Sequence, residues 1–206
     1  MTNVKQSKAV AMKMAERAQA VMDLHYPNYA PEWLWIRGKN HGFSTVPRTL
    51  PIAMQALNEL PGHPAGHALF CLWARSPDHP LVIIESQATF AGEAGFTGSR
   101  AVDTWRRRMK ILKEHGFIDT RKGTSGEFHY VLLLNPNVAL ERMHALGHVS
   151  TDVYSRFTER LSEIGGYGDV TTIREYWRRE NEAKALAEAK AAEEAANAEE
   201  TKKSET

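Results

Sequence analysis

Between residues 99 and 122 the chain carries Arg100, Arg106, Arg107, Arg108, Lys110, Lys113, Arg121 and Lys122 against three acids, Asp103, Glu114 and Asp119. Guanidinium and ammonium groups at this density do one kind of chemistry well. They neutralise phosphates, and arginine also reads a guanine edge through two parallel hydrogen bonds. The acids that balance the formal net charge of +1 lie elsewhere, above all in residues 180–206, where eight Glu face four Lys. A segment of +5 and a tail of −4 cancel in the total, and that asymmetry points to an anionic partner for the middle of the chain.

Other chemistries find less support. His63 and His67 stand four apart, as do His144 and His148. Zinc needs three or four ligands, and no Cys or carboxylate completes either pair in sequence, so surface histidines are expected and no metal site is assigned. The single cysteine, Cys71, can form no internal disulfide, and its apolar surroundings predict a core residue. Tyr130 has the side chain of a nicking nucleophile, but without a paired-histidine metal motif a core position is expected. Trp33, Trp35 and Trp73 are likewise expected in the core. His115 is expected to cap a helix C-terminus, and His129 is open between a phosphate contact and an ordinary strand residue. No Gly-x-x-x-x-Gly-Lys phosphate loop occurs. No nucleophile, base and orienter can be assembled, so no catalytic residue, enzyme activity or cofactor is assigned.

The elements that must position the cations follow from periodicity and punctuation. Residues 98–115 read as a long helix stopped by Gly116. Val102, Trp105, Met109 and Leu112 recur on one face at steps of three and four, and that face should bury. Arg100, Asp103, Thr104 and Arg107 lie opposite, flanked by Ser99, Arg106, Arg108 and Lys110. Ser99, Thr104, Lys110 and the flanking arginines suit phosphates, whereas Asp103 either accepts from a cytosine amine or pairs with Arg107. Ile111 is expected to pack against Phe117 or the following hairpin. Upstream, 65–75 reads as an apolar helix and 81–84 as a β-branched strand. Residues 86–94 read as a short helix capped by Ser86, with Gly95 suited to the left-handed position after it. Downstream, 117–121 and 127–134 read as strands around a hairpin loop at 122–126, the second ending in the buried run 132–134.

On either side, helices are expected at 4–24, 49–60, 138–146 and 151–164. The last of these places Val153, Phe157, Leu161 and Ile164 on one face. A further helix from 171 onward is expected to dock through Ile173, Tyr176 and Trp177. Residues 33–36 are ambiguous between a strand and a buried turn, and 181–206 form an acidic Ala/Glu/Lys tail, disordered or a frayed helix. The division is thus 1–62, 63–136, 137–180 and 181–206.

The order helix, strand, helix, turn, helix, strand, loop, strand over 65–134 resembles the winged helix-turn-helix domain of bacterial DNA-binding proteins. The residues that carry the likeness are Phe90-Ala91-Gly92-Glu93-Ala94-Gly95-Phe96-Thr97-Gly98-Ser99-Arg100, leading into a helix that closes on Leu112-Lys113-Glu114-His115-Gly116-Phe117-Ile118. With the segment 33–51, most of the chain also resembles proteins of proteobacterial conjugative elements and plasmids labelled as replication- or partition-related. The resemblance implies a mainly α fold with a small β-hairpin wing and helical extensions at both ends. It implies a recognition helix bearing Ser99, Arg100, Asp103, Thr104, Arg106, Arg107, Arg108 and Lys110 in a major groove, and a wing bearing Arg121, Lys122, Thr124 and Ser125 on the backbone or minor groove. The expected partner is double-stranded DNA, and the expected role is transcriptional regulation or plasmid replication or partition. A homodimer is expected, with 4–24 and 151–164 as its surfaces. The alternative is an adaptor that binds replication or partition proteins without reading DNA.

Composition agrees with this class. The chain has 206 residues, 42% hydrophobic and 25% charged, which suits one globular domain with extensions. The longest apolar run, residues 68–74, is far short of the roughly 20 residues a membrane span needs. No apolar stretch follows the N-terminal lysines, so no signal peptide is expected and the cytoplasm is the expected compartment.

Overall fold

The computed structural model describes residues 4–62, 64–76 and 78–204, with side chains at 13, 15–30, 32–62, 64–76 and 78–191. His63, half of one histidine pair, lies outside them. The chain forms two contact units, one ending at Phe43 and the other beginning at Ser44. The first holds α1 (Val4–His25) and a single 3-10 turn (Pro31–Trp33). α1 contains no Gly or Pro and ends just before Pro27, which cannot continue a helix. Trp33 and Trp35, expected in the core, are exposed. Among the described residues of this unit no side chain is buried, and Trp35 packs edge-to-face on Phe43 at 5.9 Å.

The second unit runs α2 (Leu50–Glu59), α3 (Gly66–Ala74), β1 (Leu81–Ile83), α4 (Gln87–Glu93), α5 (Ala101–Glu114), β2 (Ile118–Gly123), β3 (Gly126–Leu133), α6 (Pro136–Ala145), α7 (Thr151–Ile164) and α8 (Tyr167–Ser204). The protein is mainly helical with one three-stranded antiparallel sheet in the order β1-β3-β2. Pro51 sits in the first turn of α2, where its missing N–H leaves no partner wanting. Leu50, Ala53, Ala56 and Leu57 repeat at helical spacing and are buried, and α2 packs on α3, α6 and α7. α2 thus lies in the larger contact unit, which begins at Ser44.

The core is centred on Trp105 of α5. Its ring meets Phe128 of β3 edge-to-face at 5.6 Å, with Phe90 of α4 tilted at 6.4 Å. Burial of each such side chain contributes about 1.5–3 kcal/mol, and this trio locks two helices to the sheet. α7 turns Val153, Phe157 and Leu161 inward, so its apolar face is occupied within the chain. Ser150 caps α7, accepting from the Val153 N–H at 3.4 Å.

Several boundaries differ from the sequence reading. α5 begins at Ala101, because Gly98 adopts the left-handed conformation (φ 78°) and holds Ser99 and Arg100 in the preceding turn. β2 continues through Lys122 and Gly123, so the hairpin turn is only Thr124-Ser125. A Cβ on Gly123 would stand 2.2 Å from the His129 ring, so the strands close this tightly only around glycine. Tyr130 and Leu132 point outward, opposite Ile83 and Leu81 of β1, while Val131 and Leu133 face in. The side-chain period of two excludes the fully buried run expected at 132–134. α8 begins at Tyr167 and runs on through the acidic tail as one helix. Ala, Glu and Lys are strong helix formers, and pairs such as Glu180–Lys184 and Arg178–Glu182 support it at i,i+4. Among the described residues, no helix is long and apolar enough to cross a membrane.

Candidate nucleic-acid interface

Local sequence sets the angle between α4 and α5. The Ser86 hydroxyl caps α4, accepting from the Thr89 N–H at 3.3 Å. At the other end Gly95 takes φ 81°. The Gly95 N–H then bonds the Gly92 carbonyl and the Phe96 N–H bonds the Ala91 carbonyl, both at 3.0 Å. That pair of bonds is a Schellman stop, which satisfies the last carbonyls and turns the chain toward α5. In α5 Trp105, Met109 and Leu112 are buried while Val102 and Ile111 are half-buried. Burial of that stripe leaves Asp103, Arg106, Arg107 and Lys110 exposed, with Thr104 and Arg108 half-buried between the two sides.

The eight cations divide into two groups. Arg106 is held, its Nε donating to Gln87 Oε1 at 2.7 Å and its Nη1 standing 3.4 Å from Asp103. Asp103 therefore pairs with Arg106, which Gln87 also holds, and not with Arg107, which turns to Thr104. Lys113 and Arg121 share Asp119, at 3.5 and 3.2 Å. The Thr120 backbone N–H, together with Arg121 and Lys113, holds the Asp119 carboxyl below its ordinary value. Arg100, Arg107, Arg108, Lys110 and Lys122 make no ion pair among the described residues. Arg107 reaches only the Thr104 hydroxyl, at 3.5 Å. Arg108 lies over the Phe96 ring at 5.8 Å, with its Nε buried and unpartnered. Burial, and then the neighbouring Arg107 charge, push its pKa below the usual guanidinium value. A cation so placed gains from any anion brought against it.

At the hairpin, Lys122 and Thr124 are exposed. Ser125, expected to meet a phosphate, instead holds the turn. Its hydroxyl donates to the Ile84 carbonyl and lies 2.9 Å from His129 Nδ1. His129 is buried, which removes it as a phosphate contact, and Tyr130, expected in the core, is exposed. Ser99 is exposed but precedes α5. The residue that the sequence reading missed is Gln87. It is buried, its amide donates to the Ser125 carbonyl at 2.6 Å, and its carbonyl accepts from Arg106. It thereby ties the hairpin turn to α5. The available signal was a lone amide directly after the capping Ser86, in a helix whose other core-facing residues are apolar.

The remaining reactive side chains are occupied structurally. Cys71 is buried, and burial followed by the Glu93 charge raises its thiol pKa, the opposite of an activated nucleophile. His115 occupies the C-cap of α5 as expected, but burial lowers its pKa and so disfavours the charged form. His144 stacks on Tyr154 and His148 meets His115 edge-on. Among the described residues no group of three or more His, Cys, Asp or Glu is arranged to hold a metal. No family model, no curated protein and no solved structure matches this chain.

Proposed function

We propose that the protein binds double-stranded DNA through a winged helix-turn-helix formed by α3, β1, α4, α5, β2 and β3. The observation that carries this reading is the set of cations around α5 and the hairpin that lack a carboxylate. Elsewhere in the same unit Arg75, Arg156, Arg160 and Arg174 each hold one. Arg48 and Arg142 also make no ion pair among the described residues, but neither belongs to a run of cations. A face that leaves Arg100, Arg107, Arg108, Lys110 and Lys122 unpaired around one helix suits a polyanion. The antiparallel order β1-β3-β2 and the capped α4–turn–α5 corner support the winged reading. In it Arg107 and Lys110 enter the major groove, Arg100 stands at its mouth, and Lys122 with Thr124 reaches the backbone or minor groove. Arg106, held by Gln87 and Asp103, orients the surface. A role in transcription, or in replication or partition of a mobile element, follows from the sequence resemblance alone.

A second reading, an adaptor that binds protein, is favoured by the outward sheet face, where Ile83, Tyr130 and Leu132 are exposed together. Selection from a pool of random duplex DNA at about 50 mM salt separates the two. Retained duplexes sharing a motif, with binding weakened in Arg100→Ala and Arg107→Ala, support DNA readout. No retention at that salt refutes it and favours the adaptor.

A further inference from the structure

We infer that residues 21–43 form the surface through which two copies of this chain associate. Leu24, Tyr26, Tyr29, Trp33, Trp35 and Phe43 are all exposed, from 44% at Phe43 to 83% at Trp33. With about 150–250 Å² on each aromatic side chain, these residues leave on the order of 700 Å² of apolar surface in water. That approaches the ~800 Å² that each partner contributes to a standard interface. Four of the rings also have a neighbour: Tyr26 meets Tyr29 edge-on at 6.0 Å, Trp35 meets Phe43 at 5.9 Å, and Arg37 lies over the Phe43 ring at 5.0 Å. The Asn40 side chain accepts from the Ile36 N–H at 2.5 Å and closes the turn between them. Rings already ordered lose little entropy when a partner covers them.

Charge chooses the occupant. Residues 21–43 contain two carboxylates, Asp23 and Glu32, and two permanent cations, Arg37 and Lys39. A balanced surface has no long-range pull on a nucleic acid or an anionic lipid face. Under a two-fold axis the same patch meets itself, so equal numbers of both signs let cations of one copy face carboxylates of the other. The competing surface, α7, already has its apolar side buried. The association itself does not depend on DNA binding.

The test is the mass of the full chain in solution, by light scattering across a dilution series, for the natural protein and for Trp33→Ala/Trp35→Ala. The expected result is a dimer whose dissociation constant rises by about 30-fold or more per tryptophan. Because both rings are exposed, the helical circular-dichroism signal and the thermal transition measured below the dissociation range should stay unchanged. A natural protein that is monomeric at about 100 µM overturns the inference, since a standard interface holds well below that. A dimer that survives both substitutions places the interface elsewhere and also overturns it. Open-ended aggregates in place of a closed pair do the same. DNA binding by a strict monomer would leave the proposed function standing while this inference fails.

Discussion

The salt dependence of DNA binding tests the sorting of cations most directly. Each phosphate neutralised by a Lys or Arg releases a counterion, and the slope of log affinity against log salt is about −0.9 per contact on duplex DNA. If Arg100, Arg107, Arg108, Lys110 and Lys122 are the engaged set, the slope per protomer is about −4.5. Affinity then falls by about 500-fold between 50 and 200 mM salt. If all eight cations contributed, the slope would be about −7 and the loss on the order of 10⁴-fold. The two cases are separable by fluorescence anisotropy on a duplex, with stoichiometry titrated in parallel. The sharper comparison is between two single substitutions. Lys122, which has no carboxylate and is the cation proposed to reach the backbone, should cost about 0.9 of slope when changed to Ala. Arg121, which shares Asp119 with Lys113, should leave the slope nearly unchanged, because losing it also frees a neighbouring positive charge. Equal slope losses from the two substitutions would refute the claim that internal ion pairs decide which cations reach the DNA. A flat salt dependence would remove the anionic partner altogether.

Other expectations rest on separate parts of the structure. Gln87→Met breaks both the Ser125 and the Arg106 hydrogen bonds while conserving volume. It should lower DNA affinity by several-fold to about tenfold, with Gln87→Glu failing to rescue because a carboxylate cannot donate to the Ser125 carbonyl. Anisotropy on the same duplex would measure both. Arg174→Leu leaves the buried Glu141 carboxylate with only the Tyr154 hydroxyl, against Arg174 Nε at 2.6 Å in the natural chain. Denaturant unfolding should show a loss of about 1–2 kcal/mol, less than for a fully buried pair because the Arg174 side chain is half exposed and Tyr154 still donates to the carboxylate. His115 has a folded pKa below its unfolded value because of burial, so the unfolded chain takes up its proton first. Its contribution to stability is complete above about pH 6.5 and is lost as pH falls from there through the folded pKa. The slope of unfolding free energy against pH across that window should flatten in His115→Gln. Asp119, also depressed, acts lower, losing its contribution as pH falls below about 4.

Local rules in the sequence determined most of the elements. Ser86 before α4, Gly95 after it, the step of three and four from Trp105 to Leu112, and the amphipathic spacing of Val153, Phe157 and Leu161 each act within about one turn of the chain, and all appear where the spacing places them. The clustering of positive charge on α5 was equally legible, since a helix whose buried face is known has its opposite face determined. Tertiary structure decided what depends on neighbours far off in sequence. Whether a cation is free depends on which carboxylate folds beside it: Asp119 meets Arg121 two residues along the same strand, but it reaches Lys113 only once β2 returns along α5. The roles of Ser125 and Gln87 arise because the hairpin turn meets the start of α4 across 38 residues of chain. The exposure of Trp33 and Trp35 has the same origin: burial requires a facing surface, and periodicity within a segment cannot say whether the rest of the fold supplies one.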